Sequence, residues 1–94
     1  MNDKPVVLVT RRLPAAVEAR LQRDYAPRLN IDDEVYAGDQ IIKLAAGAVA
    51  IIPCHTERLS AEVIARLPDS LQAICSFSVG YDHIDLDAAR ARGI

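Results

Sequence analysis

Val6-Val7-Leu8-Val9-Thr10-Arg11-Arg12-Leu13-Pro14 sets four consecutive apolar residues, three of them β-branched, ahead of a short basic loop and a proline. An unbroken β-branched run is the pattern of a strand covered on both faces, because a strand with one wet face alternates apolar and polar positions. Pro14 then opens a helix at the position where a missing N–H is harmless. Val17, Leu21 and the ring of Tyr25 recur at helical spacing, while Glu18, Arg20, Gln22 and Arg23 are expected to face water and Pro27 to stop the helix. A doubly covered strand followed directly by a helix is the opening unit of an α/β fold built on a parallel sheet.

The unit recurs along the chain. Leu29-Asn30-Ile31 reads as a second, short strand whose alternating character places it near an edge. Asp32, Asp33 and Glu34 follow as a solvated acidic turn, and without a patterned glycine they make a poor calcium loop. Gly38-Asp39 is expected to cap a helix with Ile41, Leu44 and Ala45 on its apolar face, Ile42 on its flank and Gly47 at its end. Ala48 to Ile52 is a third strand terminated by Pro53; Ser60 N-caps a helix carrying Val63, Ile64 and Leu67, closed by Pro68. Leu71 to Cys75 is the fourth strand, Ser76 to Ile84 a loop, and Asp85 caps a last helix from Leu86 to Arg92 that stops at Gly93. Four strands and four helices thus alternate strictly. Ile94 reads as the first step into a fifth strand, which makes a truncated chain the expectation.

Composition bounds the function. Ninety-four residues, 51% hydrophobic and 26% charged, suit one small globular domain and exclude an intrinsically disordered chain. Eleven basic residues against 13 acidic give a net charge of −2, and the nine Arg and two Lys are scattered, so no basic face for nucleic acid is expected. No apolar run approaches the ~20 residues of a membrane span. Met1-Asn2-Asp3-Lys4-Pro5 lacks a secretory pattern, which points to the cytoplasm. Cys54 and Cys75 are then expected as two reduced core thiols, and His55 and His83 do not complete a zinc-ligand spacing with them. The length leaves no room for a dinucleotide domain together with a substrate site.

In a parallel α/β sheet, ligands bind beyond the carboxyl ends of the strands. Four loops qualify: Thr10 to Leu13, Ala37-Gly38, Pro53 to Arg58, and Ser76 to His83. Thr10-Arg11-Arg12 has no glycine and is no flavin-phosphate cradle. Arg11, Arg12, Pro53 and Cys54 stand where a phosphorylatable receiver domain needs acids. The glycines at 38, 47, 80 and 93 never approach G-x-G-x-x-G spacing. In the last loop, Ser78-Val79-Gly80 follows a strand, and Gly80 permits the sharp turn that aims successive N–H groups at an anion. An ordinary strand-to-helix loop asks for the same glycine.

Ser76-Phe77-Ser78-Val79-Gly80-Tyr81-Asp82-His83-Ile84-Asp85-Leu86, followed by Ala88-Ala89-Arg90-Ala91-Arg92-Gly93-Ile94, resembles the substrate-domain segment of the D-isomer-specific 2-hydroxyacid dehydrogenases. The stretch Val6 to Pro14 is similar to the glyoxylate and hydroxypyruvate reductase branch, and the likeness runs from Val6 to Ile94. The resemblance implies a flavodoxin-like three-layer α/β sandwich with its fifth strand missing, residues 1–94 forming a truncated substrate-binding domain and the Rossmann cofactor domain lying outside this chain. It implies that Val79 and Gly80, with Ser78, offer backbone N–H groups to the carboxylate of a small 2-keto acid, and that Cys54, His55 and Thr56 line the same cleft. It implies NAD or NADP in the full-length parent, with no cofactor site here. The family's catalytic Arg, Glu and His match no position of this chain, so no catalytic residue is assigned.

The remaining titratable residues take plainer roles. His83 is expected to cap or face its loop, His55 to contact substrate at most, Asp85 to cap the last helix and Asp82 to bond loop amides. Arg11 and Arg12 could steer an anion, with at least one simply exposed. Two readings follow. One is the inactive substrate-binding fragment of an NAD(P)-dependent oxidoreductase that interconverts small 2-keto and D-2-hydroxy acids, homodimeric in the parent. The other is a stand-alone, non-catalytic flavodoxin-like scaffold that self-associates through its open fourth strand.

Overall fold

The computed structural model describes residues 4–77 and 83–94. Its elements run β1 (Val6–Val9), α1 (Ala15–Asp24), β2 (Ala26–Arg28), α2 (Gly38–Leu44), β3 (Ala50–Ile52), α3 (Ala61–Ala65), β4 (Ala73–Ile74) and α4 (Leu86–Ala91). The strands form one parallel sheet in the order β2-β1-β3-β4. β1 is central, as its unbroken apolar run requires: Val7, Leu8 and Val9 are all buried. Side chains alternate across the sheet. Leu8 and Ile51 join Ile41, Leu59, Ile64, Leu67, Leu71 and Ala89 in a core beneath α2, α3 and α4, with Ile74 packed against it. Val7 and Val9 point the other way, toward Leu13, Val17 and Leu21 of the α1 side. The result is the three-layer flavodoxin-like sandwich the resemblance implies.

Caps act largely where the sequence puts them. The Ser60 hydroxyl accepts from the Val63 N–H at 3.3 Å, and the Asp85 carboxylate from the Ala88 N–H at 2.9 Å. Each closes an orphan donor of the first helical turn. Arg92, the C-cap of α4, reaches the carbonyls of Ile64 and Leu67 at 2.7 and 2.8 Å, so one guanidinium terminates α3 as well. Gly38 does not cap α2: Ala37 holds that position, its N–H donating to the Gln40 side chain at 2.9 Å. Gly38 is needed for another reason, because a Cβ there would meet Val63 Cγ2 at 2.8 Å. Its bare backbone lets α2 approach α3.

Four expectations are corrected. β2 lies at Ala26–Arg28, three residues before the expected Leu29-Asn30-Ile31, because pairing with β1 sets its place: Val6 lies opposite Ala26 and Leu8 opposite Arg28. α1 ends at Asp24, Tyr25 is already extended, and Pro27 sits inside the edge strand, where its missing N–H can face away from the ladder. Glu18 does not face water; its carboxylate turns back to accept from the Leu13 N–H at 3.0 Å. Both cysteines are free, but Cys75 is exposed rather than a core thiol, because it extends β4 toward the α1 side, where no helix covers it. Among the described residues, no helix is long and apolar enough to cross a membrane.

Candidate functional site

Three loops meet at the carboxyl ends of β2, β1 and β3, and a fully buried carboxylate lies beneath them. Glu57 has no solvent exposure. A buried carboxylate is costly unless donors surround it. Glu57 Oε1 accepts from the Thr10 hydroxyl at 2.5 Å and from the Cys54 N–H at 3.0 Å, while Oε2 accepts from the Thr56 hydroxyl. The Glu57 N–H donates to the Cys54 carbonyl at 3.2 Å, so both polar backbone groups of Cys54 are tied to one residue. His55, at the tip of this turn, is exposed. Thr10 is as buried as its partner.

The network continues outward. Arg11 Nη1 donates to the Thr56 hydroxyl at 2.8 Å, and its Nε and Nη2 fork onto Asp33 at 2.8 and 3.2 Å. Asp33 also accepts from the Arg12 N–H at 2.9 Å. It adopts φ 54°, a left-handed conformation that Asp tolerates, which turns its carboxylate back toward β1. The Arg11 guanidinium, then the Arg12 amide, hold the Asp33 carboxyl down at about 2. Asn30 is buried under the same turn, donating to the carbonyls of Thr10 and Glu34 at 2.9 and 2.6 Å. Burial, then the neighbouring Glu57, push the Cys54 thiol above its ordinary range, so it is a poor nucleophile.

Cys54 and His55 therefore stand together on the turn after β3, the first half-buried and the second exposed. Ser78, Val79, Gly80 and Asp82 lie outside the described residues. The start of their loop does not: the Phe77 N–H donates to the Pro53 carbonyl at 2.8 Å, which joins the loop after β4 to the loop after β3. His83, at its far end, is buried, with Nε2 3.0 Å from the Ser76 hydroxyl, and its carbonyl accepts from the Leu59 N–H at 2.8 Å. Arg11 does not steer anions freely, being committed to Asp33 and Thr56; Arg12 is the exposed one.

Sequence reasoning passed over Glu57, Thr10, Asn30 and Asp33 as bonded members of this end of the sheet. Thr10 gave a signal, being a polar residue bordering an apolar strand, and Asn30 another, standing between two apolar residues. Glu57 gave none within its own loop, because its donors come partly from a strand 47 residues away.

The sequence profile described as D-isomer specific 2-hydroxyacid dehydrogenase, catalytic domain, matches residues 7–94. The chain belongs to this family. The glycerate dehydrogenase of Hyphomicrobium methylovorum is 38% identical over 98% of this chain, and a glyoxylate reductase of Pyrococcus horikoshii is 29% identical over 97%. Among solved structures, a D-isomer specific 2-hydroxyacid dehydrogenase from Polaromonas, described as NAD-binding, superposes with a TM-score of 0.90 at 39% identity over 99% of this chain. The chain spans 29% of the H. methylovorum and Polaromonas proteins and 27% of the P. horikoshii protein.

Among the described residues, the loop after β1 does not offer a dinucleotide a phosphate cradle. The loop after β1 has no glycine, and its N–H groups at Arg12 and Leu13 are taken by the carboxylates of Asp33 and Glu18.

Proposed function

We propose that this chain is the N-terminal part of the substrate-binding domain of an NAD(P)-dependent D-2-hydroxyacid dehydrogenase of the glyoxylate/hydroxypyruvate reductase type. One observation supports the reading beyond family membership: the Phe77 N–H donates to the Pro53 carbonyl, so the start of the loop after β4 is bonded beside the turn of Cys54 and His55. In the proposed arrangement these two loops from neighbouring strands form one wall for a small anion, at the sheet end where α/β proteins bind ligands. In this reading the backbone N–H groups of Val79 and Gly80 orient the carboxylate of a 2-keto acid, and Cys54 and His55 border its other end. NAD or NADP, held by the remainder of the enzyme, supplies or accepts the hydride at C2. The residues of this chain anchor and orient the acid and carry no proton or hydride transfer. The homologous glycerate dehydrogenase and glyoxylate reductase support this substrate class.

The cytoplasm as location and a homodimeric parent belong to the same proposal. The test is a titration of the 94-residue chain with glyoxylate and hydroxypyruvate, followed by amide NMR. Shifts centred on Cys54, His55, Val79 and Gly80 are expected, with no NADH or NADPH oxidation. Shifts elsewhere, or turnover by this chain alone, overturn the proposal. A reading frame continuing past Ile94 into a G-x-G-x-x-G segment is the corresponding expectation at the level of the gene.

A further inference from the structure

We propose that Glu57 is a positioning residue: its buried carboxylate sets the course of Cys54-His55-Thr56 over the ends of β1 and β3, and Arg11 with Asp33 locks that turn from outside. That this turn meets substrate rests on the function proposed above; the positioning does not.

The donors define the role. A carboxylate without solvent exposure contributes nothing to apolar packing, and each of its observed bonds is made to a group that places the turn. Thr10 belongs to the end of β1, so Glu57 ties the turn to the central strand. The Cys54 N–H opens the turn and the Thr56 hydroxyl precedes Glu57 itself, so the span presenting His55 is gripped at both ends. The hydroxyl protons have one consistent arrangement. Thr10 gives its proton to Glu57, the Ile52 carbonyl at 3.4 Å being the weaker alternative. Thr56 gives its proton to Glu57 and accepts from Arg11. Arg11 is held in turn by both oxygens of Asp33.

The loops after β1, β2 and β3 thus form one hydrogen-bonded unit centred on Glu57. A turn ordered before ligand arrives loses little freedom on binding, so the unit acts on affinity through His55 and Cys54 without touching the ligand.

The experiment measures amide exchange and glyoxylate titration by NMR on the 94-residue chain and four variants. Glu57→Gln keeps shape and volume but removes the charge and replaces one acceptor oxygen by an N–H donor; Thr56→Val removes one donor; Thr10→Val and Thr10→Ser form a loss-and-rescue pair. In Glu57→Gln the Cys54 amide is expected to exchange about tenfold faster, with the Leu8 and Ile51 amides unchanged and glyoxylate binding about tenfold weaker. Thr56→Val moves both readouts in the same direction by less. Thr10→Ser restores what Thr10→Val loses.

Wild-type exchange at Cys54 in both Glu57→Gln and Thr56→Val overturns the positioning role. Equal acceleration of loop and core amides overturns it too, since that marks general destabilisation. If glyoxylate leaves the His55 signals of the wild-type chain unmoved, the substrate reading fails, and the exchange data alone confirm or refute the positioning.

Discussion

The two faces of the sheet are covered unequally. α1 is the longest helix, at ten residues, yet none of its residues is fully buried. α2, α3 and α4 have seven, five and six residues, and each buries one side chain: Ile41, Ile64 and Ala89. Three short helices share one face, with α3 packed between α2 and α4, so together they cover one continuous core. Among the described residues α1 is the one helix on the other face, and beside it Val7, Leu21, Tyr25, Ile52, Ala73 and Cys75 line an open cavity of about 280 Å³. Burial of a helix here follows the completeness of its layer rather than helix length or pattern.

The largest expected effect tests that contrast directly. Ile64→Ala removes a side chain sealed between α3, β3 and α4, and should cost about 3 to 4 kcal/mol. Leu21→Ala, at the open cavity, should cost about 1 to 2 kcal/mol, because water already reaches the site. Urea denaturation of both variants measures the difference, and equal losses would break the comparison. Next come additions of volume. Ala45→Val on the sealed face should destabilise by about 1 to 2 kcal/mol through overpacking. Ala73→Val grows into the cavity and should be neutral or stabilise by up to about 1 kcal/mol.

Thiol chemistry separates covered from open positions within the α1 side, where both cysteines lie. Cys75 opens onto the uncovered face, while Cys54 is half-buried with its thiol pushed up by burial and by Glu57. A raised value means less thiolate near neutral pH, so iodoacetamide should alkylate Cys75 well before Cys54, as mass spectrometry of the modified peptides would show.

The smallest effect belongs to neither face. Arg11 and its backbone neighbour hold Asp33 below its usual value of 3.8, at about 2. A depressed carboxylate stabilises the fold above its unfolded value and loses that contribution as pH falls through the folded one. The clamp should therefore weaken between about pH 4 and pH 2, and Asp33→Asn should flatten the acid limb of the stability curve there. The pair is solvent-exposed, so added salt should reduce the effect.

Much of the architecture was legible along the chain, for local reasons. Val6 to Val9 announced a doubly covered strand, Ser60 and Asp85 capped the helices they precede, and Gly47 and Gly93 take the positive φ of 77° and 75° that helix ends favour. β2 was misplaced because Ala26-Pro27-Arg28 has no strand pattern of its own and is held by Val6 to Leu8. The candidate site was legible in part: Cys54 and His55 stand on the expected turn, while the residues that hold the turn were read as loop polarity.

Glu57 and Asp33 mark that boundary. Each is an acid in a polar loop, where the solvated reading is the physical default. One is sealed under the turn by Thr10 and Thr56, and the other is folded back onto Arg11. The amino-acid order by itself determined the alternation of strands and helices, the double cover of β1 and the family, because apolar period, caps and motif spacing are properties of neighbouring residues. The tertiary structure alone decided the register of β2, the unequal cover of the two faces and the buried carboxylate beneath the loops. Those depend on groups brought together from distant parts of the chain, and a carboxylate stays buried only where such partners supply its donors.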